Sequence, residues 1–169
     1  PWRLNSVDGI PGCGFNPVAD NLVTPGPADT CLSTAHPCVT IPVTVARTDN
    51  GQMRGFSVTF QLSPELALCS GPGSVIEGTY LSDVNPGTNM QVVDNGGGSY
   101  TVDVAILGLP CGATAPSGTL FKIQVKYLVP LGPGTITITS VLFRDCDNLP
   151  LPGTPGPALS VPIDAVPTG

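Results

Sequence analysis

A two-sheet β-sandwich is predicted by three observations. Five segments alternate apolar and polar residues with a period of two, the breaks between them are rich in glycine, proline and asparagine, and helical spacing is almost absent. Strand side chains flip face at each residue, so every such segment has one apolar and one polar face. Two sheets that hide their apolar faces against each other satisfy all five.

The segments follow in chain order. Val39, Ile41, Val43 and Val45 alternate with Thr40, Pro42 and Thr44. Phe56, Val58, Phe60 and Leu62 alternate with Ser57, Thr59 and Gln61. Ser63-Pro64-Glu65-Leu66-Ala67-Leu68 offers the one helical signal, a single turn with Ser63 as its cap and Pro64 at its first position. Asp94-Asn95-Gly96-Gly97-Gly98 lies between Met90–Val93 and Ser99–Leu107 and predicts a hairpin turn with positive φ. Tyr100, Val102, Val104 and Ile106 form the next apolar row, followed by Phe121, Ile123, Val125 and Tyr127. Pro130-Leu131-Gly132-Pro133-Gly134 reads as a second hairpin leading to Ile136 and Ile138, and a last strand runs from Ala158 to Asp164. Phe56, Phe60, Phe121 and Phe143 are expected in the core.

Composition narrows the function. The 169 residues suit one domain with a sizeable core. Gly 21 and Pro 20 would suit a disordered chain, but the 41% hydrophobic content is patterned, and disordered chains lack it. Charged residues are 11% of the chain and the net charge is -6, without a basic patch, so nucleic-acid binding is excluded. With no signal peptide, no long apolar run and Pro1 as first residue, the chain reads as a processed secreted product or a trimmed piece of one. No Asn-x-Ser/Thr acceptor is present.

The six cysteines include no CxxC pair, and an even count spread over loops predicts disulfides and an oxidising, extracellular setting. Six cysteines allow fifteen pairings. The expected set is Cys31–Cys38 across a short loop, Cys69–Cys111 between two loops, and Cys13–Cys146 from the N-terminal segment to the domain.

Reaction chemistry is scarce. The one histidine, His36, sits beside Pro37 between two cysteines, where a tight loop position explains it. Asp83, Asp94 and Asp103 offer carboxylates, but nothing selects a pair, and the chain reads as non-catalytic without a cofactor. In Asp145-Cys146-Asp147-Asn148, the oxygens of Asp145, Asp147 and Asn148 could hold a calcium ion; an Asx turn onto backbone amides is preferred. Trp2, Tyr80 and Tyr100 form no flat strip, which leaves carbohydrate recognition open but without support.

Residues 1–37 read as an extended N-terminal arm and disulfide loop, before a sandwich domain over 38–169. The arm carries Trp2, Leu4, Val7 and Ile10 without a sustained period. It either drapes over its own domain, the preferred reading, or docks on a neighbouring copy.

The run Val39-Thr40-Ile41-Pro42-Val43-Thr44-Val45, then Met53-Arg54-Gly55-Phe56-Ser57-Val58-Thr59-Phe60, resembles the opening strands of bacterial cohesin-type domains. Tyr100 to Gly108, Gly118-Thr119-Leu120-Phe121, and Gly134 to Ile138 with Arg144 to Pro152 resemble their later strands and closing acidic turn. Over residues 38–165 the resemblance implies an all-β jelly-roll β-sandwich of about nine strands, related to carbohydrate-binding modules. It implies a structural or interaction module of an extracellular surface protein, an adhesin repeat or a filament subunit that contacts another protein or copies of itself. A polysaccharide or dockerin-like partner is the alternative.

Overall fold

The structure, a computed structural model, describes residues 21–166. It is a jelly-roll β-sandwich. The first sheet holds β1 (Leu22–Pro25), β3 (Cys38–Ala46), β5 (Leu66–Pro72), β6 (Val75–Glu77), β9 (Ser117–Tyr127) and β12 (Thr154–Pro155). Its order is β12-β1-β3-β9-β5, with β6 also on β9. The second sheet holds β2 (Leu32–Ser33), β4 (Met53–Leu62), β7 (Thr88–Gly96), β8 (Ser99–Ile106), β10 (Leu131–Asp145), β11 (Pro150–Leu151) and β13 (Leu159–Asp164). Its order is β2-β13-β10-β4-β8-β7, with β11 on β10. Nine of these strands are four residues or longer, in line with the expected number. One short helix, α1 (Thr79–Ser82), lies between β6 and β7.

The period-two rows face each other across the interior. Ile41 and Val43 of β3 and Phe121, Ile123 and Val125 of β9 are fully buried, as are Val58 and Phe60 of β4 and Val102 of β8. Phe121 bridges the sheets, with its ring 6.1 Å from Phe56 and 6.0 Å from Phe60. Truncating such a ring to alanine costs about 3–5 kcal/mol. Phe143 is buried with them.

The glycine turn is as expected. Gly96 pairs with Ser99, and Gly97 and Gly98 fill the two-residue turn at φ 62° and 82°. Both central residues need positive φ in a turn whose twist matches the strands.

Several expectations are corrected. Pro130–Gly134 is not a hairpin: β9 and β10 lie in different sheets, and Leu131–Gly134 belong to β10, paired with β13. Pro133 sits opposite Pro162, so this rung needs no N–H from either residue. Ser63–Leu68 is not helical. Leu66 N–H donates to Ser63 O at 3.0 Å, which closes a β-turn around Pro64, and β5 starts directly afterwards. The Ser63 hydroxyl accepts from Thr135 N–H at 2.8 Å instead of capping a helix. Residues 22–37 pack on their own domain as short strands and loop: β1 pairs with β3, β2 pairs with β13, and Val23 and Leu32 are fully buried. These strands are too short for alternation to mark them. The arm residues Trp2, Leu4, Val7 and Ile10 lie outside the described residues, as does Cys13.

Candidate functional site

The strands that bury Phe56, Val58 and Phe60 turn their other face to solvent. Across β7, β8, β4 and β10 the register aligns two outer rows: Asn89, Ala105, Gly55 and Arg144, then Gln91, Asp103, Ser57 and Leu142. A groove of about 360 Å³ lies over these rows, bordered by Leu107, Asp145 and Asn148. Its floor is low because Gly55 and Ala105 are neighbours there. Two β-bulges shape the β10 side. The bulge at Thr139 resets the phase of β10, so that Ile136 and Ile138, then Val141 and Phe143, face inward and Leu142 outward. The bulge at Arg54 turns its guanidinium toward β8, where Nε donates to Ile106 O at 3.1 Å.

The two halves of this face differ chemically. Toward the glycine turn the polar groups bond to one another: Thr59 to Thr101 at 2.9 Å, Asn95 to Thr101 at 2.9 Å, and Gln61 to Gly97 O at 2.7 Å. Over the groove, the side chains of Ser57, Asn89, Gln91 and Asp103 have no hydrogen-bond partner among the described residues. The charges of Arg54, Asp103 and Arg144 are likewise without an ion pair, since Arg47–Asp49 is the one salt bridge among the described residues. Leu107 and Leu142 stand beside them, each 58% exposed. Exposed leucines, unpaired charges and open amides on a rigid sheet suit contact with another protein surface.

The disulfides differ from the expected pairs. Cys38 joins Cys69, and Cys111 joins Cys146. Cys31–Cys38, Cys69–Cys111 and Cys13–Cys146 are therefore incorrect, and Cys31 is exposed with no disulfide partner among the described residues. Sequence proximity favoured Cys31 as the partner of Cys38, but the sheet brings Cys69 on β5 within 6.1 Å (Cα to Cα) of Cys38. Cys111–Cys146 ties the loop after β8 to the turn after β10, at the end of the groove.

That turn is an Asx turn. Asp145 Oδ1 accepts from Asp147 N–H at 2.9 Å and Leu149 N–H at 2.8 Å. Asn148 adopts φ 64°, a conformation asparagine tolerates, and its carbonyl accepts from Arg144 Nη1 at 3.4 Å. One of the oxygens considered for calcium, Asp145 Oδ1, is thus engaged by backbone. Among the described residues no group of three or more His, Cys, Asp or Glu side chains converges.

The residues weighed for catalysis are scattered. His36 and Ser33 close a tight turn through backbone bonds of 3.1 and 3.2 Å. Asp94 accepts from Gly96 N–H in the hairpin turn, Asp83 follows α1, and Asp103 lies on the outer face of β8. Tyr80 is buried, and Tyr100 stacks on Phe60 at 5.5 Å. None of the side chains in the two outer rows is aromatic. Sequence reasoning weighed Asp103 as a carboxylate and Asp145 and Asn148 as calcium ligands, each apart from the others, and did not assemble the groove; Ser57 and Asp103 belong to the polar phase of alternating segments, whereas Asn89, Gln91, Leu142 and Arg144 lie outside the segments it marked.

No family model matches the chain, and no curated protein matches it. Among solved structures it is similar to a non-cellulosomal cohesin from the hyperthermophilic archaeon Archaeoglobus fulgidus, with a TM-score of 0.64 at 14% identity over 87% of this chain and 93% of that one. It is also similar to the cohesin module of a Clostridium perfringens family 33 glycoside hydrolase, with a TM-score of 0.65 at 10% identity over 86% and 99%. A third is the sixth cohesin of Acetivibrio cellulolyticus scaffoldin B, solved in complex with a Cel5 dockerin, with a TM-score of 0.64 at 13% identity over 87% and 99%. The chain has the cohesin-like β-sandwich fold.

Proposed function

We propose that this domain is a non-catalytic extracellular interaction module that binds a protein partner on the groove face of β7, β8, β4 and β10, as part of a surface adhesin or filament. The observation that carries the reading is the concentration there of charges without an ion pair beside polar side chains without a hydrogen-bond partner among the described residues. Arg54, Arg144 and Asp103 surround a floor made by Gly55 and Ala105, with Leu107 and Leu142 exposed beside it. Arginine is enriched among the residues that carry interface energy, exposed apolar patches mark contact surfaces, and unpaired charges at a rim steer and register a partner. The disulfides fit an oxidising compartment. A dockerin-like partner on the same face is the second reading, favoured by the dockerin complex in which the scaffoldin B cohesin was solved. A polysaccharide has less support, because its sugar rings would find no aromatic platform in the two outer rows.

The test uses immobilised wild-type domain beside Leu142→Glu and Ala105→Arg variants, each shown to melt like wild type. Extracellular proteins and a panel of dockerin modules are passed over all three. A partner retained by the wild type and lost from both variants is expected. A partner retained equally by all three, or binding of soluble polysaccharide alone, overturns the reading.

A further inference from the structure

Among the described residues the sandwich has several free strand edges, and that of β7 is the least guarded. β2, β11 and β12 are two residues long. The side formed by β5 and β6 is interrupted by the turn at Gly71–Ser74 and clamped by Cys38–Cys69. β7 is nine residues long and contains neither proline nor lysine, and its one charged residue is Asp94, near the tip. Long edges without such guards pair with other strands.

The hydrogen-bond phase of β7 shows what it offers. Leu107 N–H donates to Gly87 O at 2.7 Å, and the antiparallel ladder alternates from there. Asn89, Gln91 and Val93 therefore bond to β8, whereas the N–H and C=O groups of Met90, Val92 and Asp94 point away from it. No strand among the described residues meets them. The apolar inner row is also incomplete at this edge. Met90 and Val92 face the core but stay half-buried, while their partners on β8, Val104 and Val102, are buried.

We propose that β7 pairs with β7 of a second copy of this chain, antiparallel about a twofold axis through the Val92 rung, so that two seven-stranded sheets become one. This register is chosen by the bonds. Centred on Val92, it sets Met90 of each copy opposite Asp94 of the other and places all three outward-pointing residues in hydrogen-bonded rungs. Thr88 also points away from β8, but its N–H already donates to Pro86 O at 2.9 Å, so a shift by one rung toward Thr88 lacks that bond, and a shift the other way runs into the bulge at Asn95. It also sets Val92 against Val92 of the second copy, which extends the half-buried apolar row across the junction. On the outer face Val93, 46% exposed, lies beside Gln91 of the second copy. The edge matches itself because its few side chains are uncharged except at Asp94, which meets the neutral Met90. The contact is isologous and closes on itself, so it makes a dimer. It rests on the edge of β7 and not on the groove, so it stands or falls separately from the partner-binding face.

The full chain is tested by sedimentation velocity from micromolar to roughly 1 mM, a range that detects weak association. Val92→Pro removes an N–H that points away from β8, so it breaks the proposed rung without removing a bond of the β7–β8 ladder. Val93→Lys adds an edge lysine and keeps the test valid should the proline variant fold poorly. A wild-type dimer weakened about tenfold or more in both variants, at unchanged melting temperature in Val93→Lys, is the expected result. A chain that stays monomeric throughout overturns the pairing, as does a dimer that neither variant affects. Deleting residues 1–12 should leave the dimer intact. Its loss on deletion would make the N-terminal segment of another copy the occupant of the edge and overturn the β7–β7 pairing.

Discussion

Arg47 Nη1 donates to the hydroxyl of Tyr80 at 2.9 Å, which joins the end of β3 to helix α1 beneath the loop that carries Cys111. The same nitrogen donates to Ala113 O at 2.7 Å, and the Tyr80 hydroxyl donates to Ala115 O at 2.7 Å. Arg47 Nε and Nη2 reach both oxygens of Asp49 at 3.1 and 2.9 Å. The guanidinium is fully buried, so removing it strands its partners. Arg47→Ala is expected to cost about 3–5 kcal/mol, and Tyr80→Phe about 1–3 kcal/mol, because the buried Arg47 N–H and the Ala115 carbonyl lose their partner. Urea unfolding of the two variants checks the ranking, and equal stability of wild type and Arg47→Ala would contradict it.

The same pair sets a pH dependence. Burial alone would raise the Asp49 carboxyl, but hydrogen bonds and charge from Arg47 outweigh it and hold the group below its ordinary value of 3.8. For Arg47, burial works against the charge, and bonding to Asp49 and Tyr80 overcomes it, so its shift is upward and lies far above working pH. A depressed carboxylate contributes stability that is fully present above the unfolded value and is lost as pH falls through the folded one. Acid unfolding between about pH 4 and 2 should therefore flatten in Asp49→Asn relative to wild type. Parallel melting curves over that range would remove the pair as the cause.

Cys38–Cys69 and Cys111–Cys146 close loops with sequence separations of 31 and 35, each expected to contribute about 3–4 kcal/mol through the unfolded chain. With these four engaged, Cys31 and Cys13 are left as the two cysteines that can pair with each other. Non-reducing peptide mapping of secreted protein should show the two structural bridges and a Cys13–Cys31 peptide, with no thiol alkylated before reduction. A Cys31 peptide alkylated in the unreduced protein would leave it a free thiol.

The sandwich was legible because period-two rows such as Phe56, Val58 and Phe60 need one buried face, whatever their partners. Pairing was less legible. Alternation ends at Ile138, so β10 reads as short, yet a bulge at Thr139 carries it on to Asp145 and brings Leu142 and Arg144 to the groove. A bulge is one residue out of phase and erases the signal it continues. The glycine turn was readable since Gly97 and Gly98 need positive φ, whereas Pro130–Gly134 misled because turn-rich composition marks a change of sheet as readily as a hairpin. Disulfide partners depend on which strands become neighbours, and spacing along the chain carries no information about that. Asp103, Asp145 and Asn148 were legible one at a time, but nothing along the chain grouped them, and Ser57 was visible only as part of a polar phase shared by every solvated strand.

The Asp145 turn separates backbone support from metal binding. Asp145 Oδ1 holds two backbone N–H groups, and Asp147 contributes its N–H to one of those bonds. Asp145→Ala is expected to lower stability by about 1–3 kcal/mol, Asp147→Ala to change it little, and a chelator to leave the melting temperature of wild type unchanged. A fall on chelation that Asp147→Ala abolishes would assign calcium to the turn instead.

Gly78 links β6 to α1 where the chain passes closest to another backbone. Its N–H donates to Leu120 O at 2.9 Å, and a Cβ there would overlap the carbonyl of Thr119. The obstacle is backbone of β9, an interior strand of the first sheet, so no side-chain rotation relieves it. Gly118, on the same strand, leaves room for the Tyr80 ring, and a Cβ there would stand 2.5 Å from Cδ2 of that ring. Gly78→Ala must therefore displace α1 or β9, and α1 carries the tyrosine that Arg47 bonds. A loss of about 1–3 kcal/mol is expected from the overpacking alone, with a further loss if the Tyr80–Arg47 bond breaks. A double-mutant cycle of Gly78→Ala with Tyr80→Phe reads this directly. Losses smaller together than in sum show that the alanine acts through Tyr80. Strictly additive losses show that the strain stays at Thr119.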